Sequence, residues 1–114
     1  EELVVDVGTR MLEKLGYMVL TAKNGKEALQ VYQENRDKID MVVLDMIMPG
    51  MNGGDVFEKL KGINSEIKVL LSSGYSINGQ AVHILEKGCR GFIQKPFDLQ
   101  RLSQKVREVL EKEN

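Results

Sequence analysis

The chain has 114 residues, with sixteen basic side chains against seventeen acidic ones, a net charge of −1, one cysteine and two prolines. That length suits a single domain with a single core, and the balanced charge offers no general attraction to nucleic acid. Cys89 alone makes no internal disulfide, and no apolar run reaches the roughly eighteen residues of a membrane span, so a reducing cytoplasm is expected, with no membrane partner.

Two signals compete at the start of the chain. Leu3-Val4-Val5-Asp6 has the composition of a short strand ending in an acid. Val4, Val7, Met11, Leu12 and Leu15, however, recur at spacings of three and four, the apolar face of an amphipathic helix, and Gly16 suits its C-terminal cap. The period predicts a helix over Glu2–Leu15. A strand ending at Asp6 would leave only Val7 to Leu15 for a crossover helix, short of the roughly ten to fifteen residues such units use. Tyr17 to Ala22 then reads as a strand, and Asn24-Gly25 opens a helix whose apolar positions Ala28, Leu29 and Tyr32 run toward Asn35.

Met41-Val42-Val43-Leu44 is an apolar run that stops at one carboxylate, Asp45, before a stretch of turn residues containing Pro49-Gly50 and Asn52-Gly53. A strand buried on both faces is apolar throughout, and open α/β sheets bind their ligands beyond the carboxyl ends of such strands. Asp45 is therefore the leading candidate for function. Capping the next helix is the plainer role for an aspartate, but those turn residues stand between it and the helix expected at Asp55 to Lys61, which Gly62 ends.

Ile67 to Ser73 is the next strand and closes on Ser72-Ser73-Gly74. A helix over Gly79 to Lys87, a short strand over Gly91 to Gln94 closing on Lys95-Pro96-Phe97, and a final helix over Asp98 to Lys112 capped by Asp98 complete the chain. This alternation predicts a doubly wound parallel sheet with helices on both faces. A carboxylate, a hydroxyl and an ammonium then meet at one sheet edge.

Asp45, Met48-Pro49-Gly50-Met51-Asn52-Gly53, Ser72-Ser73-Gly74 and Gly91-Phe92-Ile93-Gln94-Lys95-Pro96-Phe97, in that order and register, resemble the receiver domain of two-component response regulators. The resemblance implies a flavodoxin-like α/β fold, five strands in the order 2-1-3-4-5 flanked by five helices, over residues 1–114. Its departure is at the N-terminus. With Glu2–Leu15 as helix, Glu1 and Glu2 fall directly after the family's acidic pair, so the first strand and that pair are expected to lie upstream and the domain to be N-terminally incomplete. Were Leu3 to Asp6 a central strand instead, Asp6 would sit beside Asp45 and become a metal ligand.

The resemblance further implies that Asp45 is a phosphoacceptor, taking a phosphoryl group from the phosphohistidine of a sensor histidine kinase or phosphotransfer protein. Such a domain turns over no substrate of its own; it switches a surface read by a downstream output domain or protein. Lys95 supplies the ammonium that meets the phosphoryl oxygens, aimed by a cis bond to Pro96. Ser73 matches the switch hydroxyl and Phe92 the aromatic that turns inward with it. Ser72 competes with Ser73, since adjacent strand residues face opposite ways and only one can point at Asp45; the spacing to Lys95 favours Ser73.

Magnesium is the implied metal, on Asp45 and the backbone carbonyl of Ile47, with the remaining ligands in the upstream acidic pair; Glu1 and Glu2 suit a helix N-terminus on their own account. The apolar Ile47 side chain cannot orient an attacking water, which implies a long-lived phosphoryl state. His83 has no second histidine or cysteine at ligand spacing, and the six methionines suit core filling. Three other readings remain: a flavodoxin-like binding module, which lacks a phosphate-cradling loop; a hydrolase using Asp45 as nucleophile, which lacks a placed base; and a degenerate receiver that binds partners without phosphorylation.

Overall fold

The computed structural model describes residues 3–6, 11–46, 53–74 and 79–111. Strands and helices alternate: β1 Leu3–Asp6, α1 Met11–Lys14, β2 Met18–Thr21, α2 Gly25–Glu34, β3 Ile39–Asp45, α3 Gly53–Ile63, β4 Val69–Ser73, α4 Gly79–Glu86, β5 Gly91–Gln94 and α5 Leu99–Glu111. The strands form one five-stranded sheet in the order β2-β1-β3-β4-β5, and every neighbouring pair is parallel. The doubly wound fold expected from the alternation is present.

Where the first strand was expected to be missing and Glu2–Leu15 to be helix, the sheet has Leu3–Asp6 as β1. Leu3–Asp6 is an interior strand between β2 and β3, in register with Met18–Thr21 on one side and reaching Val43 on the other, and not the start of a helix. The physical reason lies in the neighbours. β2 and β3 both turn a backbone edge toward this position, and each buried group left unpaired costs roughly 1–3 kcal/mol. A helical period offers much less per residue, while the β-branched pair Val4-Val5 suits a strand. The register against β3 slips between Leu3 and Val4, which pair with Ile39 and Met41, so Asp40 is the extra residue of a bulge. Of the helix expected over Glu2–Leu15, only Met11–Lys14 remains among the described residues, closed by Gly16 at φ +94°.

Side chains divide by strand alternation into two apolar layers. Val42, Leu44, Val69 and Leu71 face α2, α3 and α4, where they meet Ala28, Tyr32, Val56, Phe57, Leu60 and Ile84. Met41, Val43, Leu70 and Ile93 face α1 and α5, where they meet Leu12, Leu102, Val106 and Val109. β3 is apolar on both faces because both are covered.

Caps follow the sequence. The Asn24 side chain accepts from the Glu27 N–H at 2.8 Å to start α2, and Asp98 accepts from the Arg101 N–H at 2.8 Å to start α5. Gly62 does not end α3, which runs on to Ile63; Asn64 instead donates its N–H to the Leu60 carbonyl at 2.9 Å and closes the helix. An ion pair between Lys87 and Glu58 ties α4 to α3, and the ammonium holds the Glu58 carboxyl below its ordinary value.

Candidate functional site

β3 carries Asp45 to the carboxyl edge of the sheet, where its carboxylate is largely enclosed, its side chain 14% exposed. Lys95, just beyond β5, reaches across the end of β4 and places Nζ 2.7 Å from Asp45 Oδ1, its own side chain 39% exposed. Backbone bonds hold this edge together. The Lys95 N–H donates to the Ser73 carbonyl at 2.6 Å and the Met46 N–H to the Ser72 carbonyl at 2.9 Å. The Lys95–Pro96 peptide is cis. A carboxylate and an ammonium on flanking strands, with β4 between them, form a compact anionic nucleophile beside a cation able to receive phosphate oxygens.

The register decides which side chains share Asp45's face. Val43 pairs with Leu70 on the α1 and α5 side, so Asp45 and its partner Ser72, each two residues further on, lie on that side as well. Ser72 in turn pairs with Ile93, two before Lys95. Ser73 pairs with Gln94 and falls on the other face, with Phe92, whose ring packs against the layer under α2, α3 and α4. The expected switch pair, Ser73 and Phe92, thus shares one face; Asp45, Ser72 and Lys95 share the other. Alternation, used in the sequence to choose between the two serines, sets Ser72 level with Asp45.

Gly53, the last residue of the turn stretch after Asp45, also has a packing part that the sequence does not show. Its N–H donates to the Met46 carbonyl at 2.8 Å, and a Cβ there would stand 2.7 Å from Met46 Cα and 2.9 Å from the Asp45 carbonyl oxygen. α3 therefore begins in direct contact with the end of β3, and only glycine leaves room. Gly53→Ala is expected to lower stability by about 1–3 kcal/mol, since both obstructing groups are backbone. Thermal denaturation checks this, and an unchanged midpoint would show that the chain shifts there without cost.

Ile47, Met48-Pro49-Gly50-Met51-Asn52, Tyr75, Glu1 and Glu2 lie outside the described residues, and the expected metal ligand at the Ile47 carbonyl is among them. Asp6 ends β1 opposite Val43, on the strand next to Asp45 and two residues short of it in register. Among the described residues no three of His, Cys, Asp or Glu gather as a metal cluster. His83 is in α4, facing the start of α3, and the Cys89 thiol is buried, donating toward the Val69 and Gly91 carbonyls. Among the described residues no helix is long and apolar enough to cross a membrane.

A parallel sheet in this order, with an acid, a lysine and a cis-proline at its carboxyl edge, defines a receiver-type fold, and the comparisons agree. Residues 1–107 match the response regulator receiver domain family, and the chain belongs to it. It is 36% identical over its whole length to the sensor kinase CckA of Brucella abortus, of which it spans 12%. It is 32% identical over 95% of its length to sporulation initiation phosphotransferase F of Bacillus subtilis, spanning 91% of that protein. Among solved structures, the CheX-CheY-BeF3-Mg complex of Borrelia burgdorferi superposes with a TM-score of 0.90 at 27% identity, over 97% of this chain and 90% of that one.

Proposed function

We propose that this receiver domain accepts a phosphoryl group onto Asp45 from a phosphohistidine on a sensor histidine kinase or phosphotransfer protein. The single observation that carries this is the 2.7 Å pair of Asp45 and Lys95 at the carboxyl edge of the sheet. In the transfer, a carboxylate oxygen forms a bond to phosphorus while the donor's nitrogen–phosphorus bond breaks and its electron pair returns to the imidazole. The equatorial oxygens carry spread negative charge, which Lys95 is placed to meet by turning from the carboxylate to the incoming group. The domain modifies itself and is not a turnover enzyme. Its place is the cytoplasm, where kinase and output partners meet.

A divalent cation suits the same edge. Magnesium needs one or two carboxylates and keeps much of its water, and Asp45, closing β3 at this edge, is placed to supply one of them. When bound, such an ion neutralises charge on carboxylate and phosphoryl oxygens. The Borrelia relative, in its complex with CheX, BeF3 and magnesium, supports this reading.

The response to phosphorylation runs through Ser73 and Phe92, on the face opposite Asp45, to a broad hollow of about 990 Å³ along α4, β5 and α5. Phe92, Arg101, Lys105 and Glu108 line it, a mix of ring and charge suited to an output protein or domain. Amide exchange with and without acetyl phosphate and magnesium tests this. Protection is expected to change at Ser73, in β5 and along α4; an exchange pattern that does not respond to the phosphoryl group would instead favour a receiver that binds partners without modification.

A further inference from the structure

Ser72 is 1% exposed, and its Oγ is a buried side-chain atom with no hydrogen-bond partner among the described residues. A buried hydroxyl left in that state is costly and calls for a use. Its surroundings on the sheet are fixed by register: Asp45 on β3, Ile93 on β5, and Lys95 two residues beyond Ile93. Neighbouring strands lie about 4.8 Å apart, and partnered residues of parallel strands point the same way, so Ser72 and Asp45 stand level with one another on one face of the sheet. Lys95 is bonded to Oδ1. A serine side chain moves between staggered wells by simple rotation, so its hydroxyl can turn to donate to a carboxylate on the next strand.

Resting on the phosphoacceptor reading above, we infer that Ser72 Oγ is a further member of the phosphoryl site. It donates to the Asp45 carboxyl as Lys95 leaves it for the phosphoryl oxygens, and so stabilises the carboxylate as a leaving group. In hydrolysis, water attacks phosphorus, the phosphorus–oxygen bond to Asp45 breaks, the electron pair stays on the carboxylate, and the water's proton leaves with inorganic phosphate or to solvent. The carbonyl oxygen of an acyl phosphate accepts a hydrogen bond weakly, and a carboxylate accepts one strongly. In a loose transition state the carboxylate has nearly its full charge. Once a bound donor has drawn Lys95 away, Ser72 is already bonded to the charged carboxylate, so the bond changes little in the chemical step of phosphorylation and strengthens on the way to hydrolysis. Ser72 thus sets the lifetime of the signal, whereas Ser73, on the other face, is the switch.

The test is the rate of acyl-phosphate hydrolysis relative to its formation from acetyl phosphate, in wild type and in Ser72→Ala, Ser72→Thr and Ser72→Val, with melting temperature as a folding control. Ser72→Ala is expected to lower the hydrolysis-to-formation ratio about fivefold, the worth of one ordinary hydrogen bond. Threonine and valine have the same shape and differ by the hydroxyl, so Ser72→Thr should keep a ratio near that of wild type while Ser72→Val falls with Ser72→Ala. Equal ratios for the threonine and valine variants, or a Ser72→Ala ratio unchanged from wild type, would overturn the inference. A wild-type chain that gains no phosphoryl group on Asp45 overturns the phosphoacceptor reading itself, an outcome distinct from these.

Discussion

Asp45→Asn is expected to abolish phosphoryl incorporation from acetyl phosphate. An amide has neither the charge nor the lone-pair availability to attack phosphorus, and Asp45 is the carboxylate at this edge that a lysine holds at 2.7 Å. Asp55, the nearest acid in α3, stands in that helix's first turn, where the helix dipole accounts for it. Mass spectrometry of the intact protein reads the result directly. A mass increase that persists at wild-type level in the variant would place the acceptor elsewhere.

Lys95→Ala is expected to leave Asp45 in place and reduce the rate of phosphorylation by roughly 10²- to 10³-fold, the usual cost of removing one well-placed charge donor from a developing anion. The fold should survive, since Lys95 is over a third exposed and lies beyond the end of β5. Phosphorylation rates under saturating acetyl phosphate check it. Wild-type rates in that variant would reduce the Asp45–Lys95 contact to a surface ion pair, which contributes little.

The strands around Asp45 were legible because burial on both faces leaves a plain mark: Met41-Val42-Val43-Leu44 and Val69-Leu70-Leu71 are continuous apolar runs, and each ends where its chemistry begins. β5 was legible to the residue, Gly91–Gln94, because Lys95-Pro96 stops it. The first strand was not. Its four residues share apolar positions with a helical period that runs on through Leu15, and the period carries no record of the two backbone edges waiting on β2 and β3. That demand is tertiary and overrides local preference.

The site shows the same division. Asp45 and Lys95 could be found from position in the chain, since each closes an apolar run. The choice between Ser72 and Ser73 could not, because it depends on how β4 aligns with β3, and a shift of one residue exchanges the two faces. Spacing to Lys95 favoured Ser73; register puts Ser72 level with Asp45 and leaves Ser73 beside Phe92's face. Gly53 was hidden in the same way, as its need for space comes from Met46 and the Asp45 carbonyl rather than from any turn of its own.

The central claim is that one carboxylate, Asp45, takes the phosphoryl group, and locating that group tests it most directly. The chain is treated with acetyl phosphate and magnesium, the acyl phosphate is trapped by borohydride reduction, and the modified residue is identified by peptide mass spectrometry. The account predicts modification at Asp45 alone, dependent on magnesium and absent from Asp45→Asn. Modification mapped to Asp6, Asp55 or His83, or a chain that gains none under these conditions, would contradict it.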